Sequence, residues 1–129
     1  MTAEDRLSMV EHHRIKAHHI LEQGDEMMML EHWDLAINRY YYACFHIVQS
    51  LFVSQGLSAH THAGTSTLFG QHFVKTGLVD MAYGRFFATM VQLRQKADYN
   101  SVADITEQDA RDIVDMTRSF VEKVESLIQ

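Results

Sequence analysis

Arg39 and His46 bracket the string "NRYYYACFH". They are seven residues apart, so on a helix they fall within about 20° of one face, two turns from each other. Arginine carries a permanent charge on a planar fork that matches phosphate. Histidine gives or takes a proton near neutral pH. An arginine inside so apolar a helix is costly unless paired, so the pair also fits a buried salt bridge beside a satisfied core histidine.

A second constellation is "RQKADY", residues 94–99. Arg94 and Asp98 stand four apart on one helical face, and Tyr99 follows where the helix should end. The plain alternative is an exposed ion pair worth little. A third is "HTHAG", where His60 and His62 precede a helix whose N-terminus could accept a phosphate. A metal reading there is weak, because no Cys or carboxylate sits nearby at ligand spacing. A fourth is "HHRIKAHH", with His12, His13, His18 and His19 on one helix. Helical bundles do build metal sites from inward histidines, but the repeated Glu-x-x-His pattern of di-iron bundles is missing. No Gly-rich phosphate loop or nucleophile elbow is present.

The elements that must position these residues read as helices. The chain has 129 residues, 47% hydrophobic and 22% charged, and no proline, which fits a soluble globular chain folding as one domain over 1–129. Helix one starts near Thr2, which forms an imperfect capping box with Asp5, and turns Leu7, Val10, Ala17, Leu21 and Met28 inward. Gly24 weakens it near its end. Helix two, about 33–55, is apolar nearly all round and should be central. Gly56 suits its C-terminal cap. A polar loop follows, then helix three near 65–75, closed by Gly77. Helix four spans about 80–97, with Phe86, Phe87, Met90 and Leu93 inward. Helix five begins at Thr106, and its apolar seam runs from Ala110 to Leu127. Short loops between long helices predict an all-α, up-and-down bundle of about five helices. Helix two offers more apolar faces than one small bundle readily encloses, which predicts a homodimer.

Net charge is −6, spread as −5 over residues 1–35, +3 over 36–100 and −4 over 101–129. An acidic chain is a poor general binder of nucleic acid, but the middle segment leaves room for a local basic site. The opening "MTAEDRLSMVEHH" is too acidic and polar for a signal peptide, and no run is apolar enough to span a bilayer. The single cysteine, Cys44, forms no internal disulfide, and a reducing cytoplasm suits it.

Taken in order, "NRYYYACFHIVQSLF", "THAG", "LFGQHFVKTGLVD" and "LRQKADY" resemble the HEPN domain family (higher eukaryotes and prokaryotes nucleotide-binding) across residues 5–127. The resemblance implies a helical bundle, often dimeric, that binds nucleotide or RNA. It also implies a possible role as a metal-independent RNase toxin, or as the partner of a minimal nucleotidyltransferase in a toxin–antitoxin pair. The family's RNase motif is an arginine, four to six residues, then a histidine. Arg39 and His46 fit that string, but the motif generally sits late in the fold, where this chain has Arg94, Asp98 and Tyr99 and no histidine. The resemblance thus makes Arg94, Asp98 and His46 the catalytic candidates, with His46 as base and Asp98 orienting Arg94. Arg39, Arg94, Tyr99, Lys96 and His62 are the nucleotide- or phosphate-binding candidates, and neither metal nor cofactor is called for. Arg94, Asp98, Arg39 and His46 should then meet within hydrogen-bond or one-water reach between helices two and four. Two other readings stay open: a non-catalytic dimeric interaction module, and a metal-binding bundle hydrolase using the histidines.

Overall fold

A computed structural model describes residues 1–100 and 104–128. Helix α1 spans Ala3–Met29, α2 Trp33–Ser54, α3 His62–Phe69, α4 Met81–Tyr99 and α5 Glu107–Glu125, and α3 runs on into a π-helical stretch over Gly70–Val74. No strand occurs among the described residues. The capping boxes at Thr2 and Thr106 close in both directions. Each threonine hydroxyl accepts from the third helical amide (3.0 and 3.1 Å), and Asp5 and Asp109 accept from the cap amides in return. Gly56 and Gly77 hold positive φ at the turns that end α2 and the π stretch, a conformation open to glycine at no steric cost.

Helices α1 and α2 form an antiparallel hairpin. The register is fixed by Ser50 donating to the Val10 carbonyl (2.7 Å), by His13 meeting His46, and by Tyr40 donating to Asp25 (2.6 Å). Helix α2 is the central element. Ile37, Tyr40, Tyr41, Cys44, Ile47, Val48, Leu51 and Phe52 are all fully buried within one chain, against α1, α4 and α5. One chain therefore encloses most of α2, while Leu35 stays exposed and Tyr42 and Phe45 are half-buried at its surface. Further apolar side chains at the surface include Leu7 and Ile15 on α1. Leu7 was expected inside. The inner stripe of α1 runs instead through Val10, Ala17, Ile20 and Gly24.

Gly24 of α1 faces the Tyr40 ring of α2 directly. A Cβ built there would lie 2.6 Å from Tyr40 Cε1, on a ring with no room to move. Gly24→Ala should gain about 1 kcal/mol of helix propensity. It should lose about 1–3 kcal/mol to overpacking against Tyr40. The net expectation is a lower melting temperature in thermal denaturation. A variant that melts at or above the wild type would show that Tyr40 can give way.

The third helix begins three residues earlier than periodicity predicts. Thr61 caps it, its hydroxyl accepting from the Gly64 amide (2.8 Å). Half of the expected loop is thereby helical, and His62 becomes the first residue of α3, held rigidly beside α2.

Candidate functional site

An aromatic stack through the core builds the floor of the site. The Phe120 ring of α5 stacks on Phe87 of α4 (5.4 Å between centroids), and Phe87 stacks on Tyr41 of α2 (6.1 Å). Tyr41 is fully buried, yet its hydroxyl reaches His62 Nδ1 at 2.5 Å. The Arg94 guanidinium lies over the same ring, 5.6 Å from its centroid. One buried tyrosine thus positions a histidine from α3 and an arginine from α4. Burial pushes the Tyr41 phenol up, so it stays a neutral hydrogen-bonding group.

The Arg94 side chain is 11% exposed and donates to Asp98 at 3.2 Å. Asp98 also accepts from Asn38 Nδ2 of α2 (2.9 Å). The Asn38 carbonyl oxygen in turn accepts both Nε and Nη2 of Arg39 (3.0 and 2.7 Å), and Arg39 Nη1 donates to Gln23 of α1 (3.3 Å). A single hydrogen-bonded chain, Gln23–Arg39–Asn38–Asp98–Arg94, thus joins three helices and links the two arginines. The buried Arg94 Nε has no partner among the described residues. A guanidinium offers five donors, and Arg94 shows one acceptor among the described residues, which leaves donors for an anion.

His46 belongs to a different contact. Its Nδ1 pairs with His13 Nδ1 at 3.1 Å between α1 and α2, and it has no hydrogen bond to Arg94 or Asp98. Arg39 and His46 do share one face of α2, but that face turns toward α1. The expected seam between helices two and four therefore does not include His46. The histidine that adjoins Arg94 is His62. Burial lowers its pKa, the Arg94 charge lowers it further and Asp98 opposes them, which keeps the ring neutral at physiological pH. Tyr99, the last residue of α4, is 76% exposed. Lys96 is exposed and lies about 200° round α4 from Arg94, away from the cluster. Its place among the phosphate-binding candidates is not supported, because helical rotation carries a residue two positions on to the far side.

Sequence reasoning passed over Asn38, Gln23 and Tyr41. Asn38 carried one usable signal, a polar amide inside a mostly apolar helix. Tyr41 carried none, being one of three adjacent tyrosines. The α1 histidines are engaged separately: His13 with His46, His18 with Glu125 (2.8 Å) and His19 with Gln23 (3.4 Å). Among the described residues no three His, Cys, Asp or Glu side chains are placed to hold a metal ion, and no helix is long and apolar enough to cross a membrane.

The His13–His46 contact sets a pH dependence. Burial, then the Lys16, His13, His12 and Arg39 charges, pushes His46 down to about 4, and His13 is also lowered. The unfolded chain takes up protons near pH 6.5 while the folded chain resists until about 4. Stability from this pair is therefore complete above about pH 6.5 and lost as pH falls toward 4. Melting temperature should drop between pH 7 and pH 5, and His46→Asn should flatten that drop. An equal slope in the variant would place the acid sensitivity elsewhere.

Comparison with known proteins agrees with this architecture. The HEPN domain model matches residues 10–127. A UPF0332 protein of Thermotoga maritima is 30% identical over 125 residues, covering 97% of this chain and 95% of the relative. A Methanocaldococcus jannaschii protein named "Putative toxin MJ0605" is 34% identical over 94 residues, covering 73% of this chain and 69% of the relative. With the match running from Val10 of α1 to the end of α5, across every element that carries the Arg94 cluster, the chain belongs to the HEPN domain family.

Proposed function

We propose that this chain is a toxin-type HEPN domain that holds a phosphate of RNA or of a nucleotide at Arg94. The observation that carries the reading is the Arg94 guanidinium, largely buried over Tyr41, with one acceptor among the described residues and a neutral histidine beside it. Asp98 and Asn38 fix its fork, and Arg39 adds a second charge along the same hydrogen-bonded chain. The toxin in the name of the Methanocaldococcus relative supports pairing with an antitoxin, for which a minimal nucleotidyltransferase is the partner to test, and a homodimer is the assembly to test by light scattering.

The same geometry supports metal-independent RNA cleavage, with His62 in the part first given to His46. The 2′-oxygen attacks the adjacent phosphorus, its proton passing to the His62 ring, and the P–O5′ bond breaks. Arg94 meets the charge that builds on the phosphoryl oxygens, and the leaving 5′-oxygen takes a proton from the imidazolium. The products are a 2′,3′-cyclic phosphate and a 5′-hydroxyl.

Calorimetric titration with a nucleoside monophosphate should show binding that excess chelator does not change. RNA incubated with the protein should acquire cyclic phosphate ends, and His62→Gln should remove the cleavage while sparing the binding of the monophosphate. Absence of any nucleotide or RNA binding would leave the interaction-module reading in its place. Cleavage lost on chelation would favour the metal hydrolase.

A further inference from the structure

Four rings continue from the Arg94 cluster, three along the surface of α2 and His62 at the start of α3. Tyr42 contacts Phe45, His46 and His62 (6.1, 6.5 and 5.9 Å between centroids), and Phe45 contacts His46 and His62 (5.4 and 5.2 Å). All four are half-buried, so each keeps part of its ring in solvent. The Arg39 guanidinium lies over Tyr42 at 5.5 Å. At the far end His46 meets His13, and the exposed Lys16 and His12 of α1 stand beside them. The charges acting on His46 come from Lys16, His13, His12 and Arg39, all of them cationic when charged. In a chain of net charge −6, with eight carboxylates in its first 35 residues, Lys16 and Arg39 give this strip charge of the opposite sign.

We infer that the Tyr42–Phe45–His46–His62 surface is a stacking platform for the bases of a single-stranded polynucleotide, whose backbone runs from Arg94 past Arg39 to Lys16. Aromatic faces at the surface beside cations suit a strand whose bases are unpaired and whose backbone is anionic. A duplex hides its base faces and cannot use them. From Asn38 to His46 the strip covers about 12 Å of α2, more than one nucleotide needs. The direction of the strand rests on the Arg94 reading; the platform itself does not.

The test compares a nucleoside monophosphate with a single-stranded octanucleotide, in ribo and deoxy forms, by fluorescence anisotropy. The octanucleotide should bind at least about tenfold tighter, and whichever form binds tighter is the natural ligand. Phe45→Leu keeps an apolar side chain but removes the ring. It should weaken octanucleotide binding by roughly five- to a hundredfold, with monophosphate affinity unchanged. Lys16→Ala, at an exposed position with no packing role, should lower the salt slope for the octanucleotide by about 1. A wild-type protein that binds an abasic strand, a duplex or polyaspartate as tightly as the octanucleotide overturns the platform, and polyaspartate binding would reassign the strip to an acidic protein. Equal loss of monophosphate and octanucleotide in Phe45→Leu also overturns it. If the monophosphate fails to bind while the octanucleotide still responds to Phe45→Leu, the platform stands and the Arg94 phosphate site falls.

Discussion

Arg94→Ala should lower nucleotide or RNA affinity by about ten- to a hundredfold while changing the melting temperature little. Hydrogen bonds to a charged group contribute about 1.5–3 kcal/mol, and each 1.4 kcal/mol is a factor of ten. The fold is spared because Asp98, the ion-pair partner, keeps its bond from Asn38 at 2.9 Å and stays partly in water. Arg94→Lys should fall between wild type and alanine. It retains a charge but loses the bidentate fork that matches a phosphate. Calorimetric titration and thermal melts on both variants decide the matter. A large loss of stability with unchanged affinity would make Arg94 a scaffold residue and remove the central charge from the proposed site.

Phe120→Ala should destabilise the protein by about 3–5 kcal/mol, the usual cost of emptying a large buried aromatic position. Phe120 is fully buried and contacts the rings of Phe69, Tyr83, Phe86 and Phe87. Against a typical total of about 5–15 kcal/mol, that loss approaches the margin of folding. It also reaches the site, because Phe120 supports Phe87, which supports Tyr41, on which Arg94 and His62 both rest. Urea denaturation should show the midpoint falling with an unchanged slope. A loss below about 1 kcal/mol would mean that neighbouring rings collapse into the space and that α5 is a loosely held cover.

The helices, their caps and the inward face of α5 were legible in the sequence because they depend on local spacing. Thr2, Thr106, Gly56 and Gly77 end or begin elements by chemistry within a few residues. The Arg94–Asp98 pair was legible for the same reason: four residues on a helix are neighbours whatever surrounds them. Periodicity also put Arg39 and His46 on one face of α2. It could not say which helix that face would meet, since an apolar-all-round helix has no single inward direction.

Tertiary structure alone decided the rest. It turned the Arg39–His46 face toward α1, where His46 pairs with His13, and it brought Asn38 to Asp98 across 60 residues of sequence. It also carried His62 to Arg94 by setting the first turn of α3, begun at the local Thr61 cap, against Tyr41. Gly24 reads in the sequence as a weak point of α1, and in the fold it is the gap that admits the Tyr40 ring. The sequence determined which residues share a helical face. The rotation and neighbours of each helix, set by how large side chains such as Tyr40, Phe87 and Phe120 fill a common core, determined which faces meet and hence which histidine stands beside the arginine.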